Sequence, residues 1–371
     1  IIKKIDEPER KDQSAEWDRI VKSIEKVNVD KFLMNSLKSR GFKKDVTASY
    51  IFGEFPILNS NKNIKLTTKN FYKIIKRRVQ SHAEAIQYII DLSKDASIFN
   101  SLIDPEKKFP DVGLQAKQHR RDASPAIKDM AYLEAEYIQT ILITAYREWK
   151  PTSDEFIILA KFLVPFFFRY KTVSDLNVST LETIQIVTCS LIANGAQADI
   201  NSTLQTIIKY ILQSDDELTF TNNLITRFEP PSEKHAKFVL HHVEHYLTPT
   251  MASYHHDSDL ELEHVLPDKP ELKNPAPEKN WNDEKFFENY DYDQHKIIKK
   301  FAKWKPKLGN LTLLGNPANT YVKNFSFITK RNMIKKISGV DTEVGYNSSD
   351  LQLNKETVMK IQDSDADRYT W

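Results

Sequence analysis

Apolar residues recur three and four apart along most of the first 250 residues, and that period sets the reading of the chain. In "SPAIKDMAYLEAEYIQTILITAYREWK", Met130, Leu133, Tyr137, Ile141 and Ala145 fall on one helical stripe. Ser124 is the expected cap and Pro125 suits the first helical position. "TSDEFIILAKFLVPFFF", "STLETIQIVTCSLIA", "NSTLQTIIKYILQS" and "SEKHAKFVLHHVEHYL" repeat the pattern, each opening on a capping residue type. "YKIIKRRVQ" is a helix with a basic face. Only 8 of 371 residues are glycine, which argues against a β-rich body.

The period changes near residue 260. Leu260, Leu262 and His264 alternate with acids, a period of two that predicts a short strand ending at His264. "GNLTLLG" alternates again, with Leu311 and Leu313 on one face. Asn316 and Pro317 then read as the cap and first position of a helix running towards Met333, with Asn319 in its first turn. The predicted architecture is mainly α: a helical subdomain over 1–125, a second over 126–250, and a small α+β domain over 251–371. The polar, Pro-containing stretch from Asp104 to Pro125 reads as a linker. No internal repeat marks a solenoid.

Composition narrows the class. Hydrophobic residues make up 40% and charged residues 28%, the profile of a globular protein of two or three domains. One cysteine, Cys189, excludes a disulfide framework and a cysteine-rich zinc site, and fits a reducing cytoplasm. The longest apolar run, Phe156 to Tyr170, is broken by Lys161, Pro165 and Arg169 and is too short to span a bilayer, so no membrane partner is expected. The chain starts Ile1-Ile2-Lys3-Lys4, with no signal peptide, and reads as part of a longer protein.

Formal net charge is only +2, so partners must be sought in local clustering. From Gln294 to Val340 there are eleven Lys or Arg residues and no acid. Solvated basic faces usually interleave acids, and this one does not. Lys303, Lys305 and Lys307 are therefore candidates for a nucleic-acid backbone track.

Glu263-His264-Val265-Leu266-Pro267, then Gly309-Asn310-Leu311-Thr312-Leu313-Leu314, then Asn319, Asn324, Phe327 and Lys330, resemble the His-Asn-His (HNH) endonucleases. More closely, they resemble the C-terminal nuclease domain of GmrSD-type restriction and phage-defence proteins. His-x-x-Pro by itself is a weak signal; the Gly-Asn-Leu-Thr-Leu-Leu segment with Asn319, Asn324, Phe327 and Lys330 behind it is specific. The resemblance implies a ββα-metal core and a DNA endonuclease acting in bacterial defence. It implies His264 as general base, Asn310 as brace of the loop that orients it, and Glu263 with Asn319 as ligands of Mg²⁺ or Mn²⁺. Asn324 and Lys330 would support the helix or contact phosphate. An N-terminal ParB-like, nucleotide-handling domain of the same protein is an expected partner, and its Asp-Gly-Gln-Gln-Arg motif does not occur in this chain.

The chemistry agrees with these residue types. Phosphodiester hydrolysis needs a deprotonated water, a Lewis acid and stabilisation of the leaving oxygen. A histidine titrating near neutrality suits the first task, and hard oxygen ligands favour Mg²⁺ or Mn²⁺ for the second. A different reading makes the helical part a regulatory module and the C-terminal domain a DNA-binding or nicking scaffold. His241 and His245, four apart in "HHVEH", are a weaker metal pair without a third ligand, and the sequence leaves oligomeric state open.

Overall fold

The computed structural model describes residues 9–24, 29–40, 54–56, 63–65, 71–103, 123–150, 153–193, 199–248, 260–266, 302–303, 305–322, 324–325 and 327–363. Residues 104–122 of the expected linker, and Lys296, Lys299, Lys300 and Lys323 of the basic segment, lie outside these. The chain divides into two compact units, Ile1–Phe220 and Thr221–Trp371.

The first unit is built of helices, as the 3.6-residue period predicts. They are α1 (Glu9–Ser23), α2 (Val29–Arg40), α3 (Phe71–Arg78), α4 (His82–Ile103), α5 (Ser124–Tyr132), α6 (Glu136–Trp149), α7 (Asp154–Phe167), α8 (Val178–Ala193) and α9 (Ile200–Ser214), and α10 (Glu217–Asn222) runs across the boundary at Phe220. A short antiparallel pair, β1 (Glu54–Pro56) and β2 (Asn63–Lys65), is an addition to the predicted set. Ser153 caps α7 by accepting from the Phe156 amide at 3.1 Å, and Asp199 caps α9 through the Ser202 amide at 2.9 Å. Such caps satisfy amides that the helix itself leaves open.

The single stripe predicted from Ser124 onward is two helices. Glu134 takes a positive φ of 55°. The Ala135 amide reaches back to the Met130 carbonyl at 2.9 Å, and the Glu134 amide to Ala131 at 3.2 Å. This is a Schellman stop with glutamate in the position that glycine usually takes. The apolar spacing continues across it, so the pattern carries no sign of the break. Ser124 is the first residue of α5; the N-cap is Ala123, which makes no side-chain cap bond.

Buried polar groups tie the helices together. Asp95 on α4 is fully buried; it accepts from Ser36 of α2 at 2.5 Å and from Arg147 of α6 at 3.0 Å. Burial pushes the Cys189 thiol up to about 12, so this side chain is a core residue and not a reactive thiol. No helix among the described residues is long and apolar enough to cross a membrane.

The second unit holds α11 (Glu233–Leu247), β3 (Leu260–His264), β4 (Leu311–Gly315), α12 (Asn316–Val322), α13 (Phe327–Arg331), β5 (Ile334–Ile337), β6 (Val340–Glu343) and α14 (Gln352–Asp363). β3 and β4 are antiparallel, in a register that runs from Leu260 opposite Gly315 to His264 opposite Leu311. Two apolar clusters lie against this ribbon. Leu311 and Leu313 pack with Ala236 and Leu240 of α11 and with Leu351. Leu314 joins Val265, Leu266, Val322, Phe327, Met333 and Tyr346. The helix predicted to run to Met333 stops at Val322 and resumes at Phe327. The β5–β6 hairpin, turning through Ser338 and Gly339 at positive φ, was not in the predicted set. Its turn pair is neither Asn-Gly nor Asp-Gly.

Candidate functional site

Strand alternation places Glu261 and Glu263 on one face of β3 and Leu260 and Leu262 on the other, with His264 at the strand end. The leucine face is covered by the α11 cluster. The two glutamates face different partners along their side of the ribbon, and that difference organises the site.

Glu263 is buried at 6% exposure and forms an ion pair with Lys330 of α13, itself 0% exposed. The Tyr346 hydroxyl donates to the same carboxylate oxygen at 3.2 Å. Burial pushes the Glu263 carboxyl above the usual carboxylate range, with Lys330 opposing, and burial pushes the Lys330 ammonium below its usual value, with Glu263 opposing. Lys330 also donates to the main-chain carbonyl of His264 at 2.6 Å. Lys330 therefore lies inside the unit, away from any surface where a phosphate could meet it. Gly345 makes this packing possible. A Cβ there would stand 2.5 Å from the carbonyl oxygens of Lys330 and Arg331.

Asn310 holds the two residues that follow His264. Its side-chain oxygen accepts from the Leu266 amide at 2.6 Å, and its side-chain nitrogen donates to the Leu266 carbonyl at 3.2 Å and to the Lys305 carbonyl at 3.1 Å. Its main-chain oxygen takes the Val265 amide at 2.9 Å. The backbone from the His264 carbonyl through Leu266 is thus held by side chains from two separate elements. Asn310→Ala should remove the three side-chain bonds, keep the main-chain one, and leave two buried main-chain groups at Leu266 unpaired, at a cost of about 1–3 kcal/mol for each. Urea unfolding of the parent and variant chains measures the loss.

Asn319, in the first turn of α12, is not brought to Glu263. Its side-chain nitrogen donates to Glu261 at 2.7 Å. Its side-chain oxygen is buried and has no hydrogen-bond partner among the described residues. A buried acceptor without a donor is costly in a native structure and asks for a ligand. An amide oxygen beside a carboxylate is the donor set that a hard divalent cation takes. The residues present therefore fit a Mg²⁺ or Mn²⁺ ion, although no group of three His, Cys, Asp or Glu side chains among the described residues forms a complete ligand cluster.

The remaining expected residues are spread out. Asn324 lies half-buried between α12 and α13. Lys303 is exposed, while Lys305 and Lys307 are half-buried and Lys307 pairs with Glu229 at 2.6 Å. His241 of the "HHVEH" pair is buried in α11. In the same stretch Glu244 has a structural task, accepting from the Gln352 and Leu353 amides at 2.9 and 2.7 Å and so capping α14. Asn354 ties α14 to β4 by donating to the Leu313 carbonyl at 2.9 Å and accepting from Thr312 at 2.5 Å. Glu261, Glu244, Tyr346 and Asn354 carry no motif of their own. Only the β3 alternation, which puts Glu261 on the face of Glu263, pointed towards one of them.

A two-stranded ribbon with a helix entering directly from its second strand, and a clamped histidine at the end of the first, defines a class of small α+β domain. Residues 197–370 match the family described as GmrSD restriction endonucleases, C-terminal domain. No curated protein matches the chain.

Proposed function

We propose that the chain is a divalent-metal-dependent DNA endonuclease of the HNH kind, acting in defence against phage or other foreign DNA. The family of its C-terminal region supports a restriction endonuclease, for which DNA is the substrate. The observation that carries the finer reading is the clamp on His264, whose flanking backbone is held by Lys330 and Asn310. The β3–β4–α12 arrangement is the ββα core in this reading.

His264 takes the proton from the attacking water as general base. Asn310 keeps its strand end in place, so that the imidazole does not have to be ordered during the reaction. Asn319, with a carboxylate of β3, would hold the cation. When bound, that cation supplies Lewis-acid stabilisation of charge on the phosphate and the leaving oxygen. Asparagines suit this surroundings because they offer oxygen without adding negative charge beside DNA. Plasmid cleavage with Mg²⁺ or Mn²⁺, against an EDTA control, tests the reading. Cleavage that persists in EDTA, or no cleavage under any condition, overturns it.

Lys303, Lys305 and Lys307 form the backbone track. With about four phosphates neutralised in all, log affinity should fall against log salt with a slope of roughly −3 to −4. Replacing the three lysines with alanine should flatten that slope and weaken binding evenly across sequences, since phosphate contacts carry little sequence information. Fluorescence anisotropy over a salt series checks this; an unchanged slope would move the track to the basic face of α3.

A further inference from the structure

We propose that Glu261, and not the Glu263 beside the histidine, is the carboxylate that shares a divalent cation with Asn319. The inference rests on the metal-dependent reading above and names its ligands.

Three observations carry it. First, Asn319 is already joined to Glu261, through a side-chain bond of 2.7 Å. The bond uses the amide nitrogen, which leaves the amide oxygen as the atom available to a cation. Second, that oxygen is buried and has no hydrogen-bond partner among the described residues. A cation next to it would satisfy an acceptor that the protein leaves open. Third, Glu263 is committed elsewhere. Its carboxylate is neutralised by the buried Lys330 ammonium and accepts from the Tyr346 hydroxyl. A dication placed on Glu263 would have to displace Lys330 or sit against its charge inside the unit, where charge repulsion is weakly screened.

The two acids of β3 therefore divide two tasks. Glu263 faces α13 and anchors the strand through Lys330. Glu261, half-buried, faces Asn319 at the start of α12 and stays accessible to an ion. The same alternation keeps both carboxylates on one face, so a cation at Glu261 lies beside the Glu263–Lys330 pair without joining it.

Direct Mn²⁺ binding, read by electron paramagnetic resonance of free Mn²⁺, tests this on the full chain without DNA. Glu261→Gln keeps the shape and removes the charge, and should weaken Mn²⁺ binding by about tenfold or more, since even supporting residues of metal sites cost that much. Asn319→Ala should weaken it similarly. Asn319→Asp, which keeps an oxygen in place and adds charge, should tighten it. Glu263→Gln should leave Mn²⁺ affinity within about threefold of the parent in protein shown to be folded by circular dichroism, because that side chain lies outside the ligand set by this assignment. The inference is overturned if Glu261→Gln binds Mn²⁺ like the parent, or if Glu263→Gln loses binding while folded. In either case a parent chain that binds Mn²⁺ and cuts only with metal leaves the metal-dependent reading standing. A parent chain that binds no Mn²⁺ overturns both.

Discussion

His264→Ala should reduce plasmid cleavage by about 10²–10⁴-fold, the span that a positioned general base contributes. The argument starts from where the side chain stands. His264 is the last residue of β3, half-exposed, with its carbonyl held by Lys330 and the next two residues held by Asn310. Those bonds are to main-chain atoms, so truncation of the imidazole leaves them in place. The variant should therefore fold and bind DNA nearly as the parent does, while losing a proton acceptor. Single-turnover cleavage under saturating metal separates the two effects. A variant that cuts at the parental rate would remove His264 from the chemistry.

Lys330→Met should cost about 3–5 kcal/mol of stability, the range for breaking a buried ion pair from one side. Methionine fills much of the lysine volume, so the loss is electrostatic: Glu263 stays buried without its cation, and the His264 carbonyl loses a donor. The double replacement Lys330→Met with Glu263→Leu should recover a large part of the loss, because no charge is then left inside. The pH dependence has a fixed sign. Burial already holds the Glu263 carboxyl above its usual range in the parent, against the opposing pull of Lys330. Without Lys330 that carboxyl rises further. The folded variant then keeps its proton over a window in which the unfolded chain has lost it, from about pH 4.3 upward. Stability falls with pH across that window. The deficit relative to the parent should be smallest near pH 4 and grow towards pH 7. Urea unfolding at a series of pH values reads it, and a deficit that shrinks as pH rises would contradict the assignment of Lys330 as the neutralising partner.

The positions of β3, β4 and the helix beginning at Asn316 were legible because each rests on a local period or cap. Alternating leucines declare a strand whose one face is covered. An Asn-Pro pair declares a helix start. His264 and Asn310 were singled out by the resemblance to the HNH endonucleases and not by a period, and the bonds from Asn310 to Leu266 are visible only in the tertiary structure. Where the period continued through a boundary, the sequence was silent. Nothing in the apolar spacing marks the Schellman stop at Glu134, because a glutamate took the left-handed position. The gap between α12 and α13 was hidden in the same way.

The sequence by itself determined a mainly helical chain, a C-terminal ribbon followed by a helix, and an acid-free basic stretch beside it. Tertiary structure decided which unit α11 belongs to, since its apolar face covers Leu311 and Leu313 and its Glu244 caps α14. It also decided the partners of the two β3 glutamates. Adjacent acids of one face look equivalent along the chain. The partner of each is set by which residue of α12 or α13 is packed over it, and that depends on where α12 ends. The physical reason is range: periods and caps act over three or four residues, whereas the Glu263–Lys330 and Glu261–Asn319 contacts join residues 67 and 58 positions apart.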